Sequence, residues 1–374
     1  MILTLKFRLK DKHAAELNRQ ARAVNYVWNY CNETQKKTAQ ARRKWLTSSD
    51  LQRLTAGSSK LLDVHAHTIQ KTCQQYDRSR RQSKKAWLRF RGRKSLGWVP
   101  FSQGHVHFDG KAFTFRGVRY VTMHMREIPS GAVIHAGSFN ADSRGRWYVN
   151  APIEMPAEMF ARCGPTAVGI DLGLKDLATL STGEKISTPQ HYRRLEQKLG
   201  KAQRANKKRL TRSIAARISN ARKDHLHKVS ARVALAHGFI AVGDVSSSRL
   251  SQTRMAKSVL DAGWYTFKQQ LEYKAIRHGS IFVEVNEAHT SQICSACGEK
   301  PEGRPRGIAG LAIREWTCGG CGATHDRDVN AARNILRLGQ QSLAEGASLF
   351  EELPLGTPTW PIWENRTFRA RQLT

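Results

Sequence analysis

The chain has 374 residues, 40% of them hydrophobic, with 62 Lys and Arg against 30 Asp and Glu, a formal net charge of +32. That length can bury more than one core, and so large a cationic excess repels itself unless a polyanion is present, so nucleic acid is the expected partner. No apolar run is long enough to span a bilayer and the N-terminus lacks an apolar signal core, which argues against a membrane partner and for the cytoplasm; seven cysteines in a chain this long do not suggest a disulfide scaffold.

Met1 to Leu9 alternates as a strand does. From Lys12 the apolar residues Leu17, Ala21, Val24, Trp28 and Cys31 mark one face of an amphipathic helix, and more helix is expected from Asp50 to Gln75. Arg78 to Lys94 carries nine basic residues and no acidic one. Arg78, Arg80, Arg81, Lys84, Lys85, Arg89 and Arg91 offer phosphate contacts, while Trp87 and Phe90 offer rings on which unpaired bases stack, a mixture suited to RNA or single-stranded DNA.

Between Val99 and Ile153 the period shortens to two. HVHF, Asp109-Gly110 and AFTF predict one hairpin, and SFNADSRGRWYV predicts another with Gly145 in its turn. With the first strand these suggest a small β-barrel interrupted by the N-terminal helices. Pro152, Pro156 and Gly164-Pro165 then punctuate a boundary.

Ala167 to Thr182, AVGIDLGLKDLATLST, predicts two antiparallel strands with Asp171 at the end of a buried one. A carboxylate there needs a pairing partner, a metal or a proton. Glu184 to Thr188 suggests a third strand. From His191 to His237 the scarcity of breakers predicts one long helix with a cationic side, on which Lys207, Lys208, Arg209 and Arg212 can follow a phosphate backbone. Phe239–Val245 and Ser280–Asn286 read as further strands with a helix from Lys257 to His278 between them. This order describes a mixed α/β sheet whose ligand site lies at the carboxyl ends of its strands, where Asp171, Asp244 and Glu287 all fall.

Cys294-x-x-Cys297 and Cys318-x-x-Cys321 have the spacing of a tetrahedral, structural Zn2+ site with no open position. THDRDVNAARNIL follows as a helix that carries Asp328 on the face of Ala332 and Ile335, with Asp326 available as its cap. Beyond Gly339, a tail containing Trp360 and Trp363 is expected to be partly disordered.

GIDLGLKDLATLS, the cysteine pairs opened by TSQICSACG, and HDRDVNAARNIL together resemble the TnpB proteins encoded by insertion sequences, relatives of the type V CRISPR effectors. The ordered motifs match from about Ala167 to Leu338; the N-terminal half matches mainly in layout. The resemblance implies an α/β RNase H-like (RuvC) nuclease domain at 165–290 and 325–338 with a zinc ribbon inserted at 291–324. It also implies a β-barrel wedge domain at 1–10 and 86–164 that carries a helical recognition insert at 11–85. The implied activity is RNA-guided, Mg2+-dependent endonuclease cleavage. The implied partners are a guide RNA from the protein's own locus and double-stranded target DNA beside a short motif.

Asp171 and Asp328 carry over from the family as metal ligands. Hard carboxylates on adjacent elements can hold two Mg2+ ions about 4 Å apart. The third acid departs from the family pattern: Glu-Asp-Leu is replaced by Gly243-Asp244-Val245. One residue of slip turns a strand side chain to the opposite face, which counts against Asp244; Glu287, at the end of the neighbouring strand, is the expected substitute, as some family members relocate this glutamate. A site lacking either acid would leave an RNA-guided DNA-binding repressor, while strand transfer finds no support in a hydrolytic site of this kind.

Overall fold

The computed structural model describes residues 2–42, 45–124, 128, 131–156, 160–245, 256–305 and 309–351, in two compact units, Met1–Met159 and Phe160–Thr374. In the first unit, β1 (Ile2–Arg8) pairs antiparallel with β7 (Trp147–Glu154), followed by β6 (Gly137–Ala141) and β2 (Trp98–Phe101). The expected hairpin forms between β3 (Val106–Phe108) and β4 (Ala112–Phe115), and β5 (Val118–Val121) completes a separate three-stranded sheet. Asp109 makes that first turn by accepting the backbone N–H groups of Lys111 and Ala112 at 2.9 and 2.7 Å. Pro152 lies inside β7, opposite Thr4, so it does not mark a boundary.

The amphipathic face read from Leu17 to Cys31 is buried along α1 (Ala14–Arg42). α2 (Ser48–Leu54) opens with a reciprocal Thr47–Asp50 capping box, the short α3 (Ser58–Leu62) follows, and α4 (Ala66–Ser83) packs Ile69, Cys73 and Tyr76 against Trp28, Cys31 and Leu51. Cys31 and Cys73 are core side chains with their sulfurs 3.7 Å apart.

The second unit is built on a five-stranded mixed sheet in the order β10 (Lys185–Ser187), β9 (Asp176–Leu180), β8 (Thr166–Asp171), β11 (His237–Gly243), β12 (Ile281–Val285). β8, β11 and β12 run parallel, and β9 and β10 antiparallel, which is the sheet that the strand order implied. β11 reads FIAVG with no alternation because both of its faces are covered. Ile240 and Val242 join one cluster with Val229, Val233, Phe267 and Leu271; Phe239 and Ala241 join another with Val283, Val285 and Ile335.

The single long helix expected from His191 to His237 is two helices, α5 (His191–Arg204) and α6 (Lys208–Ala236). Asn206 takes φ 51°, a left-handed conformation that asparagine tolerates, and breaks the helix without Gly or Pro. The two helices then bury Leu195, Leu199 and Ala202 against Ile214 and Ile218, a stripe that one straight helix would leave in water. The next expected helix is likewise divided at Gly263, φ 71°, into α7 (Ala256–Ala262) and α8 (Trp264–His278).

The hairpin of β13 (Glu315–Thr317) and β14 (Thr324–Asp326) leads into α9 (Arg327–Glu351). This helix does not stop near Gly339, correcting the expected start of the tail; Trp360 and Trp363 lie outside the described residues. Gly339 permits close approach instead, because a Cβ there would stand 2.6 Å from the Ala241 Cβ. Gly169 on β8 is tighter still: its Cβ would stand 2.0 Å from the Ala332 carbonyl oxygen. The backbones of α9 and β8 therefore touch, which brings the first turn of α9 beside the end of β8. Among the described residues no helix is long and apolar enough to cross a membrane.

Candidate active site and cysteine centre

Asp171 ends β8, and its carboxyl is pushed up to about 8 by burial, then by the charges of Glu287 and Asp328, with Arg327 opposing. Glu287 follows β12 by two residues, and its carboxyl is pushed up to about 7 by burial and by Asp244, with Lys268 opposing. Three acids from β8, the end of β12 and the start of α9 therefore converge within electrostatic reach. The ionised forms of Asp171 and Glu287 are disfavoured in the free protein, and a divalent cation would relieve this.

Glu287 lies against Gly243, the position at which the family resemblance implies a glutamate. A Cβ on Gly243 would lie 2.6 Å from Glu287 Oε2, 3.2 Å from its Cβ and 3.3 Å from Ile335 Cδ1. The Glu287 carboxylate thus occupies the space that a side chain at position 243 would fill. The turn that aims it is held by three bonds: Glu287 N–H donates to Asp244 Oδ1 at 3.3 Å, and Thr290 donates to the Glu287 carbonyl from Oγ1 at 2.8 Å and from N at 3.2 Å. Asp244 itself is exposed.

Asp326 caps α9 by accepting the N–H groups of Asp328 and Val329 from one oxygen, both at 3.0 Å. This leaves the Asp328 carboxylate to Arg314 Nη1 at 2.9 Å on Oδ2 and Arg327 Nη2 at 2.9 Å on Oδ1. Among the described residues, only the four cysteines bring their ligand atoms within 4.8 Å of one another; the carboxylates are more loosely gathered.

Those raised carboxyls have a measurable consequence. Both acids hold protons below their folded values, so a divalent cation must displace protons to bind. Mn2+ titration of the free protein is expected to show affinity rising with pH through about 7 and about 8, then levelling. The same sign makes the metal-free fold lose stability as pH rises from about 4, the unfolded carboxylate value, through those folded values. Affinity that stays flat across the window would contradict this account of the site.

Cys294, Cys297, Cys318 and Cys321 have Sγ–Sγ separations of 3.7 Å for Cys294–Cys321 and 3.8 Å for Cys297–Cys318. Tetrahedral thiolates on zinc–sulfur bonds of about 2.3 Å stand about 3.8 Å apart, so the cluster fits and suggests a structural zinc site. Two asparagines of α9 bind this knuckle to the helix. Asn330 Oδ1 accepts Ser295 N–H at 2.8 Å, and Asn330 and Asn334 both donate to the carbonyls of Thr290 and Ile293. Sequence reasoning missed these two asparagines and Arg314, although an asparagine pair four residues apart on a predicted helix face was a visible signal.

Arg78, Arg81, Lys84, Lys85 and Arg89 are exposed, as are Trp87 and Phe90 at 41% and 45%. Arg80 is not a surface cation: it is fully buried, pairs with Asp77 at 2.7 Å and donates to the Leu46 carbonyl, so it belongs to the helical core. Arg91 stacks its guanidinium 4.0 Å from the Trp28 ring centroid and is only partly exposed. In the second unit, Lys207 precedes α6 and Lys208, Arg209 and Arg212 lie in its first turns, all four exposed, on the second of two helices and not on one unbroken helix.

The molecule is thus a strongly basic, mixed α/β protein with an acidic cluster at the carboxyl ends of parallel strands and a four-cysteine ribbon before the last helix. Residues 264–335 match the family model "Cas12f1-like, TNB domain", and residues 152–254 match the model described as "Probable transposase". A Streptomyces pristinaespiralis protein named "Putative RNA-guided DNA endonuclease" is 32% identical over 377 residues, covering 91% of this chain and 90% of that protein. The Escherichia coli (strain K12) "Putative RNA-guided DNA endonuclease InsQ" is 26% identical over 393 residues, covering 94% and 95%. The structure described as "Cryo-EM structure of the Cas12f1-sgRNA-target DNA complex" aligns with 90% of this chain and 99% of that one, at 14% identity and a TM-score of 0.37. The chain belongs to the TnpB family.

Proposed function

We propose that this protein is an RNA-guided, Mg2+-dependent DNA endonuclease encoded by a transposable element, with an RNase H-like (RuvC-like) nuclease unit. The observation that carries the reading is the Glu287 carboxylate in the space beside Gly243, which supplies a third acid to Asp171 and Asp328. Those three residues would hold Mg2+, which supplies Lewis-acid activation of the attacking water and stabilises the leaving oxygen. Oxygen donors of this kind suit a hard cation. Asp326 and Asp244 orient the first turn of α9 and the Glu287 turn, respectively.

In this reading the four cysteines hold structural Zn2+ in the ribbon at 291–324, and the sheets and helices of the first unit form the wedge (1–10 and 86–164) and recognition insert (11–85). Arg78, Arg81, Lys84, Lys85, Trp87, Arg89 and Phe90, with Lys207, Lys208, Arg209 and Arg212 at the start of α6, contact a guide RNA from the protein's own locus, and the target is double-stranded DNA beside a short motif. Because phosphate neutralisation releases counterions, RNA binding should weaken steeply with salt.

Protein purified at moderate salt is expected to carry one discrete RNA and to cut DNA matched to it when Mg2+ is added. Random RNA fragments would remove the guided mechanism. Discrete RNA and matched binding without any cutting would instead establish the second reading, a repressor, for which the Gly243 departure is the motivating observation.

A further inference from the structure

We infer that His325 is a positioning residue that couples the cysteine centre to the acid on α9. His325 is buried on β14, where its Nε2 lies 3.1 Å from Cys294 Sγ. Its ring packs against Trp316, its cross-strand partner, at 5.0 Å between centroids. A metal-bound thiolate carries no proton, so the imidazole supplies the hydrogen: Nε2–H donates and the sulfur accepts. The next residue, Asp326, caps α9, and Asp328 lies two positions further on. The bond therefore joins one thiolate to the strand whose end sets the first turn of the helix.

The inference rests on the reading that the four cysteines hold zinc and goes beyond it by assigning a role to a fifth residue. Four thiolates on one dication leave a net negative centre inside a small, partly buried ribbon. An N–H aimed at one sulfur draws off part of that charge, and outer-shell partners of this kind are typically worth about 10- to 100-fold in metal affinity. Sequence reading passed over His325, because one histidine between Thr324 and Asp326 shows no ligand spacing; its pairing with Trp316 on β13 and its approach to Cys294 exist only in the folded ribbon.

The test compares full-length protein with His325→Leu, which removes the donor, and His325→Gln, whose side-chain amide offers an Nε2–H at similar reach. Each is loaded with Co2+, whose sulfur-to-metal charge-transfer band reports thiolate charge, and separately with Zn2+ for release to a chelator. His325→Leu is expected to shift the band to lower energy and to speed zinc release about 10- to 100-fold, with slower DNA cutting, while His325→Gln restores the band and most of the retention. A band and release rate unchanged in His325→Leu would overturn the role, as would a wild-type band whose intensity counts three thiolates and a nitrogen, which would make His325 a ligand. A wild-type protein without the band would overturn the zinc reading, and this proposal with it. Should His325→Leu fail to fold, His325→Gln with the wild-type band but rapid zinc loss would also overturn it.

Discussion

Glu287→Gln is expected to abolish DNA cutting while leaving RNA and matched-DNA binding intact. Lewis-acid stabilisation is worth several kcal/mol, so if Glu287 holds Mg2+ as proposed, its loss should slow cleavage on the order of a thousandfold. Asp171→Asn and Asp328→Asn should do the same. The glutamine variant keeps the shape of Glu287 and removes a charge that pushes the Asp171 carboxyl upward, so it should be no less stable than the parent, and unfolding cannot explain the loss. Asp244→Asn removes the Asp244 charge beside Glu287 and at most one long hydrogen bond to the Glu287 N–H, the bond worth about 0.5–1.5 kcal/mol, a factor of about two to ten. Gly243 allows a reciprocal test. Since a side chain at position 243 and the Glu287 carboxylate compete for one space, Gly243→Glu alone should be damaging, whereas Gly243→Glu with Glu287→Gly should recover cutting. Normal cutting by Glu287→Gln with an inactive Asp244→Asn would reverse the assignment and leave the enzyme reading standing.

Cys318→Ser is expected to reduce bound zinc from about one per chain to near none and to stop cleavage. Cys318 is buried in the ribbon beside Trp316, and its backbone closes the second knuckle through bonds with Ala323 and Gly322. Binding free energy in structural zinc sites of small domains is about 10–16 kcal/mol and is also folding free energy, so this short hairpin has little else to hold it. The ribbon lies between Glu287 and Asp328 in the chain, and Asn330 and Asn334 fasten the Thr290–Ser295 segment to α9. A loosened ribbon therefore releases the acids on both sides of it. RNA binding by the exposed basic residues of the first unit should persist. Metal analysis, protease sensitivity around residues 294–321 and a cutting assay check this together; a zinc-free variant with full activity would refute it.

Hydrophobic patterning and turn chemistry alone determined the strands at Ile2–Arg8, Val106–Phe115 and Thr166–Leu180, the buried face of α1, the parallel run of β8, β11 and β12, and the paired cysteine knuckles. These are local signals: a period of two or of three to four, a Gly or Asp in a turn, a fixed spacing of ligands. Asp171 and Asp328 were legible as candidate residues through family motifs, and Glu287 through the gap at Gly243. Tertiary structure alone decided what depends on approach between distant segments. The turn at Asn206 follows from two apolar stripes that bury only when α5 and α6 fold back on each other. Arg80 belongs to the core because Asp77 and the Leu46 carbonyl surround it, which a basic run in sequence cannot reveal. Gly339 looked like a helix stop and is a contact point, since glycine is also the residue that lets a helix press on a strand. The competition of Glu287 with any side chain at position 243 is a distance across two strands, and no pattern along one strand contains it.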